Sequence, residues 1–140
     1  IPGMGTPAAK GTKQEQLLAG MIENARTNPN LVTDVESAHE LWQDRKPLVI
    51  DVREPDAHRL RHIPGALNVP LGDLADLVPF LPEDLDAPLL SVCEQGNLSL
   101  SGVLFLNSLG YRRARSITGG TQAWSERGFT TDSTAERFGF

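Results

Sequence analysis

The one cysteine of the chain, Cys93, is the residue whose type and setting point most directly to chemistry. It ends a short apolar run, Leu89-Leu90-Ser91-Val92, and opens a small and polar segment, Glu94-Gln95-Gly96-Asn97-Leu98-Ser99. A long apolar stretch over residues 98–109 begins there. The order predicts a strand, a tight loop and a helix. In that arrangement several backbone N–H groups and the positive end of a helix face one sulfur. The thiolate is the reactive form of a cysteine, and such surroundings favour the anion. Cys93 is therefore read as a nucleophile. The competing reading is that a lone cysteine packs as a small hydrophobe, which is the commoner case. Asp51 lies inside Leu48-Val49-Ile50-Asp51-Val52, where a carboxylate needs hydrogen-bond partners, and support of the structure is its first reading. His39, His58 and His62 lack the spacing of structural zinc ligands. His58 and His62 are four apart, but Pro64 and Gly65 follow at once and argue against a shared helical face.

The elements that position these residues follow from periodicity and punctuation. Residues 1–12, rich in Gly, Pro, Ala and Thr, are expected to be loosely held. Within them Ile1-Pro2-Gly3 read as an addition ahead of Met4. Leu17, Leu18, Met21, Ile22 and Ala25 recur at helical spacing over 13–26, and the helix should end by Pro29. Leu31-Val32 suit a short strand. Thr33 and Glu36 have the spacing of a capping box for a helix reaching about Gln43. The run at 48–52 predicts a strand covered on both faces. A short helix starts at Arg53-Glu54-Pro55-Asp56, with Pro55 in its first turn. Ile63-Pro64-Gly65 signals a turn, and residues 66–69 a strand. A helix is expected over 72–78. Pro79, Pro82 and Pro88 then bracket an acidic, solvated connection. The helix over 98–109 is apolar nearly all round, so its outer side should need cover, and the N-terminal helix is the candidate. Residues 114–117 form a further strand, Thr118-Gly119-Gly120 a sharp turn, and 121–127 a last helix stopped by Gly128. The tail over 130–140 offers Phe138 and Phe140 for docking back. Alternating strands and helices predict an α/β fold with a parallel sheet, whose ligand lies beyond the carboxyl ends of the strands. Asp51-Val52-Arg53, Cys93 and Thr118-Gly119-Gly120 all fall at such ends.

Composition narrows the function. The 140 residues carry a formal net charge of -5 with 39% apolar and 22% charged residues. That is room for one domain with a core. The acidic balance argues against nucleic acid or an anionic membrane as partner, although Arg112, Arg113 and Arg115 form a local basic cluster. A single cysteine excludes an intrachain disulfide and makes a reducing cytoplasm the expected location. No run is long enough to span a bilayer, and no charged and apolar leader is evident.

Val49-Ile50-Asp51-Val52-Arg53-Glu54, followed by His62-Ile63-Pro64-Gly65-Ala66-Leu67-Asn68-Val69-Pro70, resembles the first signature of the rhodanese-homology domain. The cysteine loop resembles its active-site loop. Gly110-Tyr111 and Thr118-Gly119-Gly120 with Trp124 resemble its last signature. The resemblance covers residues 31–129, leaving residues 1–12, an extra helix at 13–28 and the tail at 130–140 outside it. It implies a rhodanese-like three-layer sandwich, a mostly parallel central sheet with helices on both faces. It implies a single-domain sulfurtransferase, in which Cys93 takes sulfane sulfur from thiosulfate or a persulfide donor. The resulting persulfide passes its sulfur to a thiophilic acceptor, cyanide in an assay or a cellular thiol, by a covalent ping-pong route. The backbone N–H groups of Glu94, Gln95, Gly96, Asn97, Leu98 and Ser99 would cradle the persulfide. Arg53 would lend positive charge at the rim or form a surface ion pair. Asp51, His62 and the turn over 62–66 would support the site from below. No cofactor or metal is implied. The implied partners are a small sulfur donor, a thiol or cyanide acceptor, and a sulfur-carrying protein.

Two positions depart from the family pattern. Many members carry a basic residue directly after the cysteine and an Arg five beyond it, where this chain has Glu94 and Leu98. Gly96-Asn97 fits better the single-domain bacterial members that lack that Arg. Glu94 should repel a dianion such as thiosulfate, which favours a persulfide donor on a protein or small thiol. Arg61 stands where the family usually has glycine. A related cysteine-loop fold that handles phosphate or arsenate needs an Arg to grip the oxyanion, which Leu98 and Ser99 do not supply. A non-catalytic rhodanese-like module that binds partners is the main alternative. A redox sensor would need a resolving cysteine from another molecule.

Overall fold

The structure, a computed structural model, is described over residues 12–134. The central strand sets the plan. Every residue of Leu89–Val92 is buried, as a continuous apolar run between two helical layers requires. This strand, β4, is flanked by β5 (Ala114–Ile117) and β2 (Leu48–Asp51), with β1 (Val32–Thr33) and β3 (Leu67–Asn68) at the two edges. All four pairings are parallel, and the strand order is β1-β5-β4-β2-β3. Neighbouring residues on a strand face opposite layers. Leu89 and Ile50 therefore join one core with Leu74, Leu77, Val103 and Leu106. Leu90 and Val49 join the other, with Val35, Ala38, Ile63 and Trp124. Strands and helices form the expected α/β sandwich with helices on both faces.

The helices are α1 (Lys13–Thr27), α2 (Val35–Arg45), α3 (Pro55–Leu60), α4 (Ser99–Ser108) and α5 (Gly120–Glu126). Helix α4 packs closely on β4 because residue 102 is glycine: a Cβ there would lie 2.6 Å from Ser91 Oγ. The residues between β3 and β4 form a 3₁₀ segment, Leu71–Phe80, rather than the α-helix expected over 72–78. Gly72 is a poor helix former, Pro79 donates no N–H, and Asp73 breaks the helical dihedrals. No described helix is long and apolar enough to cross a membrane.

Several local expectations are corrected. The cap of α2 is Asp34, not Thr33: Asp34 Oδ1 accepts from Ser37 N at 2.7 Å and Oδ2 from Ser37 Oγ at 3.1 Å. Thr33 is drawn into β1, and no Thr33–Glu36 box forms. Helix α3 begins at Pro55 with Glu54 as its cap, later than Arg53. His62 lies beyond the end of α3 at Leu60 and so shares no helical face with His58, yet the two rings stack, 3.8 Å apart at 10°. Arg61 already has extended backbone, so His62 belongs to the segment after the helix. Helix α1 buries none of its residues and leaves Leu17, Leu18, Met21 and Ile22 exposed, and Leu104 on α4 is 52% exposed. The expected cover of α4 is absent because α4 needs little. Its outward positions include Ser101 and Ser108, and Leu98, Leu104 and Leu109, exposed singly along and beside the helix, are ordinary surface features. The expectations for residues 1–11 and for Phe138 and Phe140 lie outside the described residues. Just before them, Asp132 pairs with His62 as an isolated antiparallel bridge.

Candidate active site

Strand register gathers the site. Asp51 sits beside Val92, and Ser91 beside Ser116, so the carboxyl ends of β2, β4 and β5 open at one level. Cys93 follows Val92 and is 3% exposed. Its Sγ accepts from Gly96 N at 3.1 Å and from Ser99 N, the first N–H of α4, at 3.4 Å. Sγ also lies 3.4 Å from Ser99 Oγ, which pairs with Ser116 Oγ at 2.7 Å. Negative charge on this sulfur would meet two amide dipoles and a helix N-terminus.

Glycines make the loop so tight. Gly96 turns at φ 96°, and a Cβ there would lie 3.0 Å from Gly119 N. Beneath the loop, the first turn of α5 holds its carbonyls: Thr121 N donates to Cys93 O at 2.9 Å and Gln122 N to Glu94 O at 3.0 Å. Gly120 permits that approach, since a Cβ on it would fall 2.3 Å from Cys93 O. Gln95 adds a side-chain tie, Nε2 donating to Gln122 Oε1 at 3.1 Å.

The charged residues are organised around Arg53. This side chain is 7% exposed, although its type suggests the surface. Its Nε and Nη2 donate to fully buried Asp51, and Nη2 also donates to Arg61 O at 2.6 Å. Its Nη1 donates to Glu94 Oε1 at 2.8 Å. Arg61 Nη2 takes the other oxygen, Oε2, at 3.0 Å. Burial pulls the Arg53 guanidinium down, but its bonds to Asp51 and the charges of Asp51 and Glu94 outweigh that and hold it above the ordinary arginine range. Glu94 is thus a carboxylate matched to two guanidiniums, not the unopposed charge expected beside the sulfur.

Arg53, Glu54, Ala57, Cys93, Glu94, Gln95, Asn97 and Leu98 line a cleft of about 490 Å³. Among the anticipated residues, Gly96 and Ser99 touch the sulfur, while Asn97 and Leu98 form cleft wall. Asp51 acts through Arg53. His62 is more distant in role: its Nδ1 donates to His58 O at 2.6 Å, its ring stacks on His58, and its backbone anchors Asp132. Burial lowers the pKa of His58, offset in part by its bond to Ala66 O. Four contributors escape the sequence reading. Ser116 sits in a strand with no local signal. Ala57 and Glu54 reach the cleft only through the placement of α3. Arg61 was noted only as a departure from glycine. A larger groove of about 610 Å³, by Trp42, Pro47 and Pro64, contains none of these reactive groups.

Comparison with known proteins agrees with this architecture. The rhodanese-like domain family matches residues 34–127. A Pseudomonas putida protein described as thiosulfate sulfurtransferase GlpE is 37% identical over 89 residues, 64% of this chain and 79% of that protein. The crystal structure of a rhodanese-related protein from Thermoplasma volcanium superposes with a TM-score of 0.64 at 27% identity, over 73% of this chain and 97% of that one. A Rhodopseudomonas palustris protein of unknown function, described as a possible tyrosine phosphatase, shares the fold with a TM-score of 0.70 at 21% identity, over 82% of this chain and 93% of that one. With its strand order, its cysteine at the end of β4 and this match across most of its length, the chain belongs to the rhodanese-like domain family.

Proposed function

We propose that the protein is a sulfurtransferase that carries sulfane sulfur as a persulfide on Cys93. The observation that carries the reading is the convergence of Gly96 N–H and Ser99 N–H on Cys93 Sγ, at the wall of an open cleft. Family membership and the similarity to a thiosulfate sulfurtransferase support it. In the first half-reaction the Cys93 thiolate attacks the outer sulfur of a donor. A bond forms between Sγ and that sulfur. The bond to the remainder of the donor breaks, and the remainder leaves with the electron pair, as sulfite from thiosulfate or as a thiolate from a persulfide. In the second half-reaction an acceptor, cyanide or a thiolate, attacks the outer sulfur, and Sγ departs as the thiolate. Charge balances in both steps without net proton transfer.

The chain's own groups act by placement. The loop amides stabilise the sulfur anion that begins and ends each cycle, and the Asp51–Arg53 pair fixes the neighbouring wall. Phosphoryl transfer fits less well, because Leu98 stands where a guanidinium would have to clamp the oxyanion. The test is steady-state kinetics with thiosulfate or glutathione persulfide as donor and cyanide as acceptor. Parallel double-reciprocal lines and thiocyanate formation, lost in Cys93→Ser, are expected. A wild-type protein inert toward both donor classes would return the reading to a binding module.

A further inference from the structure

We infer that Glu94 is a built-in anion that occupies a two-arginine seat at the mouth of the cleft and turns donor choice from thiosulfate toward persulfides. The inference rests on the sulfurtransferase reading and names the donor class of that site. Its basis is the way Arg53 Nη1 and Arg61 Nη2 take opposite oxygens of one carboxylate, at 2.8 and 3.0 Å. Two guanidiniums converging on two oxygens form a receptor for any oxyanion of that width. The receptor is preorganised. Arg53 is held from behind by buried Asp51 and by Arg61 O, so it cannot swing away. Arg61 is steadied by Ser125 Oγ at 3.4 Å.

The seat is within reach of a ligand. Glu94 and Arg61 are half-exposed, at 48% and 39%, and Glu94 and Arg53 line the same cleft as Cys93. Asp51, Glu94, Arg53 and Arg61 together are neutral, so thiosulfate gains no net attraction from the wall and must displace a tethered carboxylate to reach its arginines. A persulfide brings its charge on the sulfur that is transferred and has no need of the seat. Glu94 and the departure at Arg61 therefore act as one device: the acid closes the seat, and the second arginine holds the acid in place. Without Glu94 the same wall would present a net positive pair to the sulfonate end of thiosulfate.

The test compares wild type with Glu94→Ala, Glu94→Gln and Arg61→Ala. One readout is the ratio of kcat/KM for thiosulfate to that for the persulfide of 2-mercaptoethanol, a donor with no oxyanion to place in the seat. The other is protection of Cys93 from iodoacetamide by inorganic sulfate, an anion with no sulfur to transfer. In Glu94→Ala the ratio should rise roughly tenfold, the worth of one charge-assisted contact, and sulfate should protect at roughly tenfold lower concentration. Glu94→Gln should move both the same way by less. Arg61→Ala should move the ratio the other way, because it leaves Glu94 with one partner. A merely structural role would lower thiosulfate use in all three variants, and that result overturns the inference, as does equal sulfate protection of wild type and Glu94→Ala. Failure of the underlying reading looks different: no donor transfers sulfur to wild type, while sulfate protection still reports on the seat.

Discussion

Gly120→Ala isolates how the cysteine loop is held. At this position φ is 60°, a left-handed conformation, and the added Cβ would lie 2.3 Å from Cys93 O and 2.6 Å from both C and O of Glu94. All three atoms belong to backbone, so no side chain can rotate away. Loop and helix must separate until the first contact exceeds about 3.0 Å. That movement strains the bonds from Thr121 N to Cys93 O and from Gln122 N to Glu94 O. Losing two hydrogen bonds costs about 2 kcal/mol and the left-handed backbone about 1 kcal/mol more. The total, about 3 kcal/mol, corresponds to a melting temperature roughly 10 °C lower for a chain of this size. Because the displaced atoms carry the sulfur, alkylation of Cys93 by iodoacetamide should change as well. Gly128→Ala supplies the control. Its φ is 78°, but nothing lies within 4 Å of the added carbon, so only about 1 kcal/mol is expected, with no change at Cys93. Equal melting temperatures and alkylation rates for the two variants would refute the account of the loop's support.

Two further perturbations address other parts of the fold. Asp34→Ala removes the cap of α2 and should cost about 1 kcal/mol in urea unfolding, with Cys93 reactivity unchanged. The folded-state pKa of His58 is lowered by burial beneath its ordinary 6.5, so the unfolded chain takes up the proton first as the pH falls. Stability from this group is complete above pH 6.5 and is lost as the pH drops from there through the folded-state pKa. Urea unfolding at about pH 7.5 and about pH 5.5, above and below the ordinary histidine value, should therefore show a smaller loss in His58→Gln than in wild type. An identical loss would remove His58 from the account.

The fold was legible wherever burial on both faces forced continuous apolar runs, as at Leu48–Asp51 and Leu89–Val92. The cysteine loop was legible because strand, glycine and helix follow one another within a few residues. Contacts between distant residues were not. Arg53 reads as a surface charge, and only the fold reveals that Asp51, two residues earlier, takes it into the interior. Glu94 reads as a repulsive charge beside a nucleophile because Arg61, thirty-three positions away, carries no sequence mark of being its partner. Ser116 looks like any strand serine until parallel register sets it behind Ser99. The face of α1 misled in the opposite sense: helical spacing of Leu17, Leu18, Met21 and Ile22 announces an apolar stripe without saying what it meets.

The most direct test of the central claim is the intact mass of the protein after incubation with glutathione persulfide, followed by mapping of the modified peptide. The account predicts one added sulfur atom, located on Cys93, removed by cyanide and absent from Cys93→Ala. Addition of sulfur elsewhere, or none at all while Cys93 still reacts with iodoacetamide, would contradict it.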